Sequence, residues 1–307
     1  MKIQTLGWLL GAVALASAGS IVACSQAAVQ CTVGHAGATV NLPNGLVNGY
    51  SAKYTVKGTA AACVEEGDIV GFESYHPPGG GDDGLQPDFS KPTIMALQAS
   101  SLENLVRAKK KKAAIDENVD HKSYSVGPFS TVEPDTSAIC VVPTLVPAQK
   151  DIPKVDAVAG MGGGDPGKPE EPATSLKYEW TNIKMYVTAA VPGTQFTADL
   201  HYTKDACVVD YQVIGSWPAV PCGDADDKPS DALCCPEADP NGGRPTGSGI
   251  NPDFPMKCDP GLLRCVLDTP DATTLPVLKP GWASNADGVP TGVCKLTPAG
   301  GSTSTGM

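Results

Sequence analysis

The chain is poor in aromatics, which make up 6% of its 307 residues, and it holds only four histidines: His35, His76, His121 and His201. Few aromatics mean a modest core for the length. No Cys-x-x-Cys pair occurs, which removes the usual thiolate spacing of a zinc site. The glycine-rich stretch Gly160-Met161-Gly162-Gly163-Gly164 runs into Pro166 and Pro169 instead of opening a helix, and Gly-Lys-Ser/Thr is absent, so a nucleotide-phosphate cradle is excluded. Gly-x-Ser-x-Gly is also missing. Positive charge is short: 22 Lys and Arg stand against 33 Asp and Glu, for a net charge of −11. Such a surface repels nucleic-acid phosphates, and no nucleic-acid partner is expected.

The N-terminus is where information concentrates. One charge, Lys2, precedes an apolar stretch from Leu6 to Ala18, and small residues follow. This is the pattern of a secretory signal. Gly7, Gly11, Ser17, Gly19 and Ser20 interrupt the run, so it falls short of the ~20 continuous apolar residues of a membrane span. Ala16-Ser17-Ala18 offers an ordinary cleavage site, which would leave Cys24 a plain cysteine. The run Ile21-Val22-Ala23-Cys24 resembles the lipobox of bacterial lipoproteins. That resemblance implies removal of residues 1-23, a diacylglycerol thioether on Cys24 and acylation, palmitate included, of the new amino group. Two or more acyl chains anchor stably where one holds only marginally. Ser25 follows the cysteine where Asp would retain the protein in the inner membrane, so the same resemblance implies the outer membrane, on its periplasmic face or at the cell surface.

Cysteine arithmetic agrees. Of 11 cysteines, setting Cys24 aside leaves ten, an even number. An exported compartment oxidises them. Four (Cys31, Cys63, Cys140, Cys207) lie early and six (Cys222, Cys234, Cys235, Cys258, Cys265, Cys294) lie late, both even sets. Spacing does not choose among the 3 and 15 possible pairings. In the first set the expectation is Cys31 with Cys63, and Cys140 with Cys207.

Gly 34 and Pro 28 point to strands, turns and loops over helices. Alternation marks Ala38 to Leu42, Tyr50 to Thr59, Asp68 to Tyr75, and runs within 123-147. Tyr178 to Val187 alternates with a phase slip near Asn182, read as a bulge. Phe196 to Tyr202 and Cys207 to Val213 alternate around the turn Thr203-Lys204-Asp205-Ala206, an antiparallel hairpin with one apolar face. One helix is expected over about 100-116, capped by Ser100 with Glu103 three residues on. The lysines 109-112 near its end could meet an acidic partner or a headgroup, although a solvated helix end explains them. After Trp217 periodicity fades and Pro, Gly, Asp and Cys dominate.

Candidate chemistry is thin. Asp224, Asp226, Asp227 and Asp231 crowd between Cys222 and Cys234 and could offer oxygens to calcium, as could Asp82, Asp83 and Asp88, but no EF-hand loop is complete. A hydrolase needs Ser, His and an acid together. His201 or His76 would have to supply the base, and Ser248, in Gly247-Ser248-Gly249, lies in a Pro/Gly loop. No catalytic residue is nominated, and no cofactor other than the calcium alternative.

These readings give a mainly β chain. An antiparallel β-sandwich-like domain with one helix (38-220) precedes a small disulfide-rich module (221-295), with a signal (1-23), a tether (24-37) and a disordered tail (296-307) outside them. The function expected is a membrane-anchored cell-envelope lipoprotein of structural, adhesive or ligand-binding role, with an envelope protein or polysaccharide as partner. The alternatives are an anchored envelope hydrolase and a calcium-dependent binding module.

Overall fold

Side chains that alternate between buried and exposed build nine strands into one antiparallel sheet, described from a computed structural model. The structure describes residues 29–37, 48–59, 62–79, 86–110, 121–160, 167, 169–242, 245–279 and Cys294. The signal, Cys24, the strand expected at Ala38 to Leu42, the loop acids Asp82 and Asp83, the helix end beyond Lys110, and the tail lie outside these residues.

In chain order the sheet strands are β1 (Tyr50–Val56), β2 (Gly67–Tyr75), β3 (Ile94–Ala99), β4 (Ser125–Pro128), β5 (Ile139–Thr144), β6 (Ala148–Ile152), β7 (Thr174–Val187), β8 (Pro192–Lys204) and β9 (Cys207–Ser216). The order across the sheet is β4-β3-β2-β1-β9-β8-β7-β5, with β6 also on β7. Its two ends meet. Ser130 N–H donates to the Val141 carbonyl and Val146 N–H to the Val126 carbonyl, both at 2.8 Å, across the seam between β4 and β5. Gly127 makes the seam possible, since a Cβ there would stand 2.6 Å from the Thr144 oxygen. The opposed walls expected of a sandwich are therefore two sides of one sheet closed on itself, which leaves no long free edge among the described strands.

The inward positions form a single core: Tyr50 and Tyr54 from β1, Phe72 from β2, Leu97 from β3, Trp180 from β7, Phe196 from β8 and Tyr211 from β9, all buried. Most of the described aromatics are thus spent inside, with Tyr75, Phe89 and Tyr124 exposed. In β7 the inward set changes from Leu176, Tyr178, Trp180 to Ile183, Met185, Val187. The register slips between Thr181 and Lys184, and Asn182 takes φ +49° there. The slip read from the sequence is a bulge, and it keeps both halves of a long strand facing the core. The β8–β9 turn is tighter than four residues: Lys204 pairs with Cys207, leaving Asp205 and Ala206 between, with Asp205 at φ +55°.

The helix α1 (Ser100–Lys110) follows β3 directly and buries Leu102 and Val106. Asp68 of β2 accepts the Ser101 backbone N–H at 3.1 Å, so a carboxylate from the sheet sits at the positive end of this helix. Glu103 accepts from Gln98 and Arg107.

Residues 29–36, expected as tether, are built into the fold. Cys31, Val33 and Ala36 are buried, and Ala36 bridges to Phe72. Ala36 pairs with β2 beyond the end of β1, which the sequence pattern did not reveal.

The late region holds the hairpin β10 (Met256–Asp259) and β11 (Arg264–Leu267) and packs on the outer face of the sheet. Val191 and Ile214 share a cluster with Cys222, Ile250, Phe254 and Leu267. Outer-face Ser51, Gln195, Thr197 and Ser216 are buried, and Gln195 exchanges two 2.9 Å hydrogen bonds with the Val277 backbone.

Candidate functional site

Five disulfides fix the framework. Cys222–Cys258, Cys234–Cys265 and Cys235–Cys294 close the late group, and no bond crosses to the early one. In the early group Cys31 bonds Cys140 and Cys63 bonds Cys207, not the sequence neighbours expected. The closed sheet explains the correction. It brings the first described segment beside β5, where Cys31 N–H also reaches the Val132 carbonyl, and lays the β1–β2 connection over the start of β9.

Three of the four histidines face carboxylates: His35 meets Glu73, His121 meets Asp151 and His201 meets Asp210. His201 stands on the outer face, its Nδ1 2.7 Å from Asp210 Oδ1 and its Nε2 4.0 Å from Glu179 Oε2, so its partners are two carboxylates. His76 buries an Nδ1 that finds no partner among the described residues and packs edge-on against Phe89, with centroids 4.6 Å apart. Ser248 Oγ donates to the Cys234 carbonyl and accepts from Ile250 N–H, tying loops together. A serine, an acid and a histidine do meet where sequence reading missed them. Ser175 Oγ donates to Asp151 Oδ1 at 2.6 Å, and His121 Nδ1 lies 2.7 Å from Asp151 Oδ2. The order is wrong for catalysis: the carboxylate sits between them, so the histidine does not take the serine proton. Ser175 holds the Asp151 carboxyl below its usual range, against some burial, with help from Gln149 and His121.

Two acids of the late cluster, Asp224 and Asp231, are engaged by backbone N–H groups. Asp224 Oδ1 accepts from Asp226 and Lys228 N–H, both at 2.9 Å, and Asp231 Oδ1 from Cys258 N–H at 2.6 Å. Asp226 pairs with Lys228. Among the described residues the only group of metal-ligand types brought together is Cys222, Cys234 and Cys265, whose sulfurs are in disulfides. The calcium expectation at Asp224, Asp226, Asp227 and Asp231 therefore has no geometric counterpart. Asp88, the described member of the earlier acidic loop, accepts from Ser90 and Lys91.

A polar cluster lies at the α1 end of the core, where Asp68 is half-buried. Burial pushes the Asp68 carboxyl up to about 7, against hydrogen bonds from Ser101 and Ile69. Tyr54 and Trp180 bury an Oη and an Nε1 that have no partner among the described residues. Burial likewise raises the Tyr54, Tyr178 and Tyr202 phenols, with Asp68 and Glu65 adding to it. Alternation placed the tyrosines inward, but nothing in it signalled Asp68, which breaks the apolar pattern of its strand.

Besides a concavity of 410 Å³ over Asp151 and Ser175, two concave surfaces stand out among the described residues. One, of 430 Å³, lies on the outer face of β2–β4, its small floor of Gly71 and Ala96 bordered by exposed Tyr75 and Tyr124 and by Glu73 and Gln98. The other, of 600 Å³, lies at the end of the barrel where the chain enters it, lined by Val29, Cys31, His76, Phe89, Val187 and Pro192 among others. Its wall is rigid. Thr93 Oγ1 donates to the Cys31 carbonyl at 2.6 Å, and Tyr50 Oη donates to the Gly193 carbonyl at 2.5 Å. Gly193, at φ +70°, passes so close that a Cβ would meet the Thr32 oxygen at 2.5 Å. Val29 is five residues from Cys24.

Comparison with known proteins covers the closed sheet. Residues 48–218, from the start of β1 to just past β9, match the family model described as MlpA. A Myxococcus xanthus protein provisionally named lipoprotein MlpA is 32% identical over 136 residues, 44% of this chain. The match spans 47% of that relative, about half its length. No solved structure matches.

Proposed function

Because the chain belongs to the MlpA family and is a bacterial lipoprotein, we propose that it is exported, cut before Cys24, acylated there and held at the outer membrane as a non-enzymatic envelope component. The observation that carries this reading is that ten cysteines are joined in five disulfides, which leaves Cys24 as the one cysteine outside them. Disulfides of this density belong to an oxidising compartment.

The folded body presents a binding surface, and its partner is an envelope protein or polysaccharide. The groove between Tyr75 and Tyr124 offers exposed rings beside a carboxylate and an amide, a combination that suits a polar, ring-bearing ligand. The hydrolase alternative finds no support in the order Ser175–Asp151–His121. The division into signal, short tether, sheet and disulfide-rich module is part of this proposal.

Fractionation tests it. The wild-type protein goes with outer-membrane fragments, and Cys24→Ala releases it or leaves an uncleaved precursor. A Cys24→Ala protein that is cut and localised as wild type would refute the anchor. Tyr75→Ala with Tyr124→Ala lowers recovery of whatever native envelope component the wild type retains, and unchanged recovery would place the binding elsewhere.

A further inference from the structure

We infer that the groove between Tyr75 and Tyr124 takes an uncharged glycan chain longer than a single sugar ring, laid diagonally across the outer face of β2–β4. The inference deepens the reading of this groove as the binding surface and rests on it.

Strand register fixes the shape. Three cross-strand rows face outward here: Tyr75 with Ile94 and Pro128, then Glu73 with Ala96 and Val126, then Gly71 with Gln98. Tyr124 comes one residue before Ser125, the partner of Leu97, so it stands level with Gln98 and completes the third row. The two tyrosines, 53% and 44% exposed, therefore sit at opposite corners of this patch. At ordinary strand rise and strand spacing, the diagonal between their backbones is roughly 16 Å. Ala96 lies at its midpoint and contributes one methyl group, and Gly71 contributes no side chain. The result is a trough of 430 Å³ with a phenol ring at each end, too long to be filled by one sugar.

The polar floor selects the kind of polymer. Glu73 brings a carboxylate, and Gln98 has its amide nitrogen engaged by Glu103 at 3.0 Å, so acceptor oxygens outnumber donors. Such a floor calls for a ligand that donates. Sugar hydroxyls donate, and the C–H face of a sugar ring packs against a phenol. A proline-rich peptide also suits aromatic grooves, but it lacks an N–H at every proline. Capture of a peptide as an added strand needs a free edge. None is offered here among the described strands: β2 and β3 are paired on both sides, and β4 meets β3 on one side and the Val146 N–H on the other.

Charge decides that the glycan is uncharged. No Lys or Arg is among the described residues that line the trough, while Glu73 places a negative group in it. Arg107 on α1 is engaged by Glu103. An anionic polymer finds no counter-charge there, and the net charge of −11 repels it. A cationic polymer would compete for Glu73 with His35, whose Nδ1 already meets that carboxylate.

The test passes solubilised native envelope, with and without prior proteinase digestion, over the immobilised full-length mature protein. Bound polymer is measured as sugar after acid hydrolysis. The wild type is expected to retain sugar equally from both portions, and the released polymer should pass an anion exchanger unbound. Tyr75→Ala and Tyr124→Ala should each lower retention about tenfold, whereas Tyr75→Phe, which keeps the ring, should stay within about twofold. Both sites are exposed, so urea midpoints should match the wild type. The polymer's own monosaccharides should displace it poorly; displacement as strong as by the polymer would confine the site to one ring and overturn the chain. Retention abolished by proteinase would assign the groove to a protein, overturning the glycan while the binding surface stands. Retained polymer that sticks to the anion exchanger, or sugar held equally by the alanine variants, would overturn it too. No retention from either portion removes the binding-surface reading and this inference together.

Discussion

Phe72 and Phe196 meet edge to face with ring centroids 4.9 Å apart, although β1 and β9 lie between their strands in the sheet. Across a flat sheet these positions would be about 14 Å apart at 4.8 Å per strand. Only a sheet closed around its apolar face brings them together. Phe196→Ala should therefore cost about 3–5 kcal/mol, read as a lower urea midpoint with unchanged slope. A loss below ~1 kcal/mol would mean that the ring is not enclosed. Gly215→Ala should also destabilise, since its Cβ would stand 2.3 Å from the Phe196 ring.

The Cys63–Cys207 disulfide closes the end of the barrel remote from Val29 across 144 residues of sequence. Replacing both cysteines with serine should cost about 2–5 kcal/mol and leave the other four bonds intact in a non-reducing peptide map. Appearance of a Cys31–Cys63 peptide in the wild type would contradict the pairing.

Asp68 makes stability depend on pH. Its folded carboxyl titrates at about 7 and its unfolded one near 3.8. Between these values the folded state keeps a proton that the unfolded state has lost, so stability falls as pH rises from about 4 to about 7 and levels off above. Asp68→Asn keeps an acceptor for the Ser101 N–H and should flatten this slope. Urea midpoints at pH 5 and pH 8 measure it, and an unchanged slope in Asp68→Asn would assign the effect to another group.

Chelation should do nothing. With Asp224 and Asp231 occupied by backbone N–H groups, EDTA should leave the melting temperature where it is. A clear drop on chelation that calcium restores would revive the metal site.

Local pattern carried the sequence reading furthest where the physics is local. Alternation located β8 and β9, and the slip at Asn182 located the bulge, because each depends on neighbours within one strand or hairpin. Strand β3 went unseen: Ile94-Met95-Ala96-Leu97-Gln98-Ala99 is rich in helix formers and runs straight into α1. What decides it is pairing with β2 and β4, which lies outside the segment. Closure through Gly127, the packing of Val33 and Ala36, and the Cys31–Cys140 bond are likewise long-range and leave no periodic trace. The same holds for the candidate sites. The expectation at Cys24 rests on a contiguous motif, whereas Asp151, Ser175 and His121 converge only through the β6–β7 pairing.

The most direct measurement is the intact mass of the native mature protein, taken with and without thiol alkylation. The account predicts a chain starting at Cys24, heavier than its sequence by a diacylglyceryl group and an N-linked acyl group, and with none of the remaining ten cysteines alkylated until a reductant is added. A chain that keeps Met1, carries no lipid and takes up alkylating reagent without reduction would contradict it.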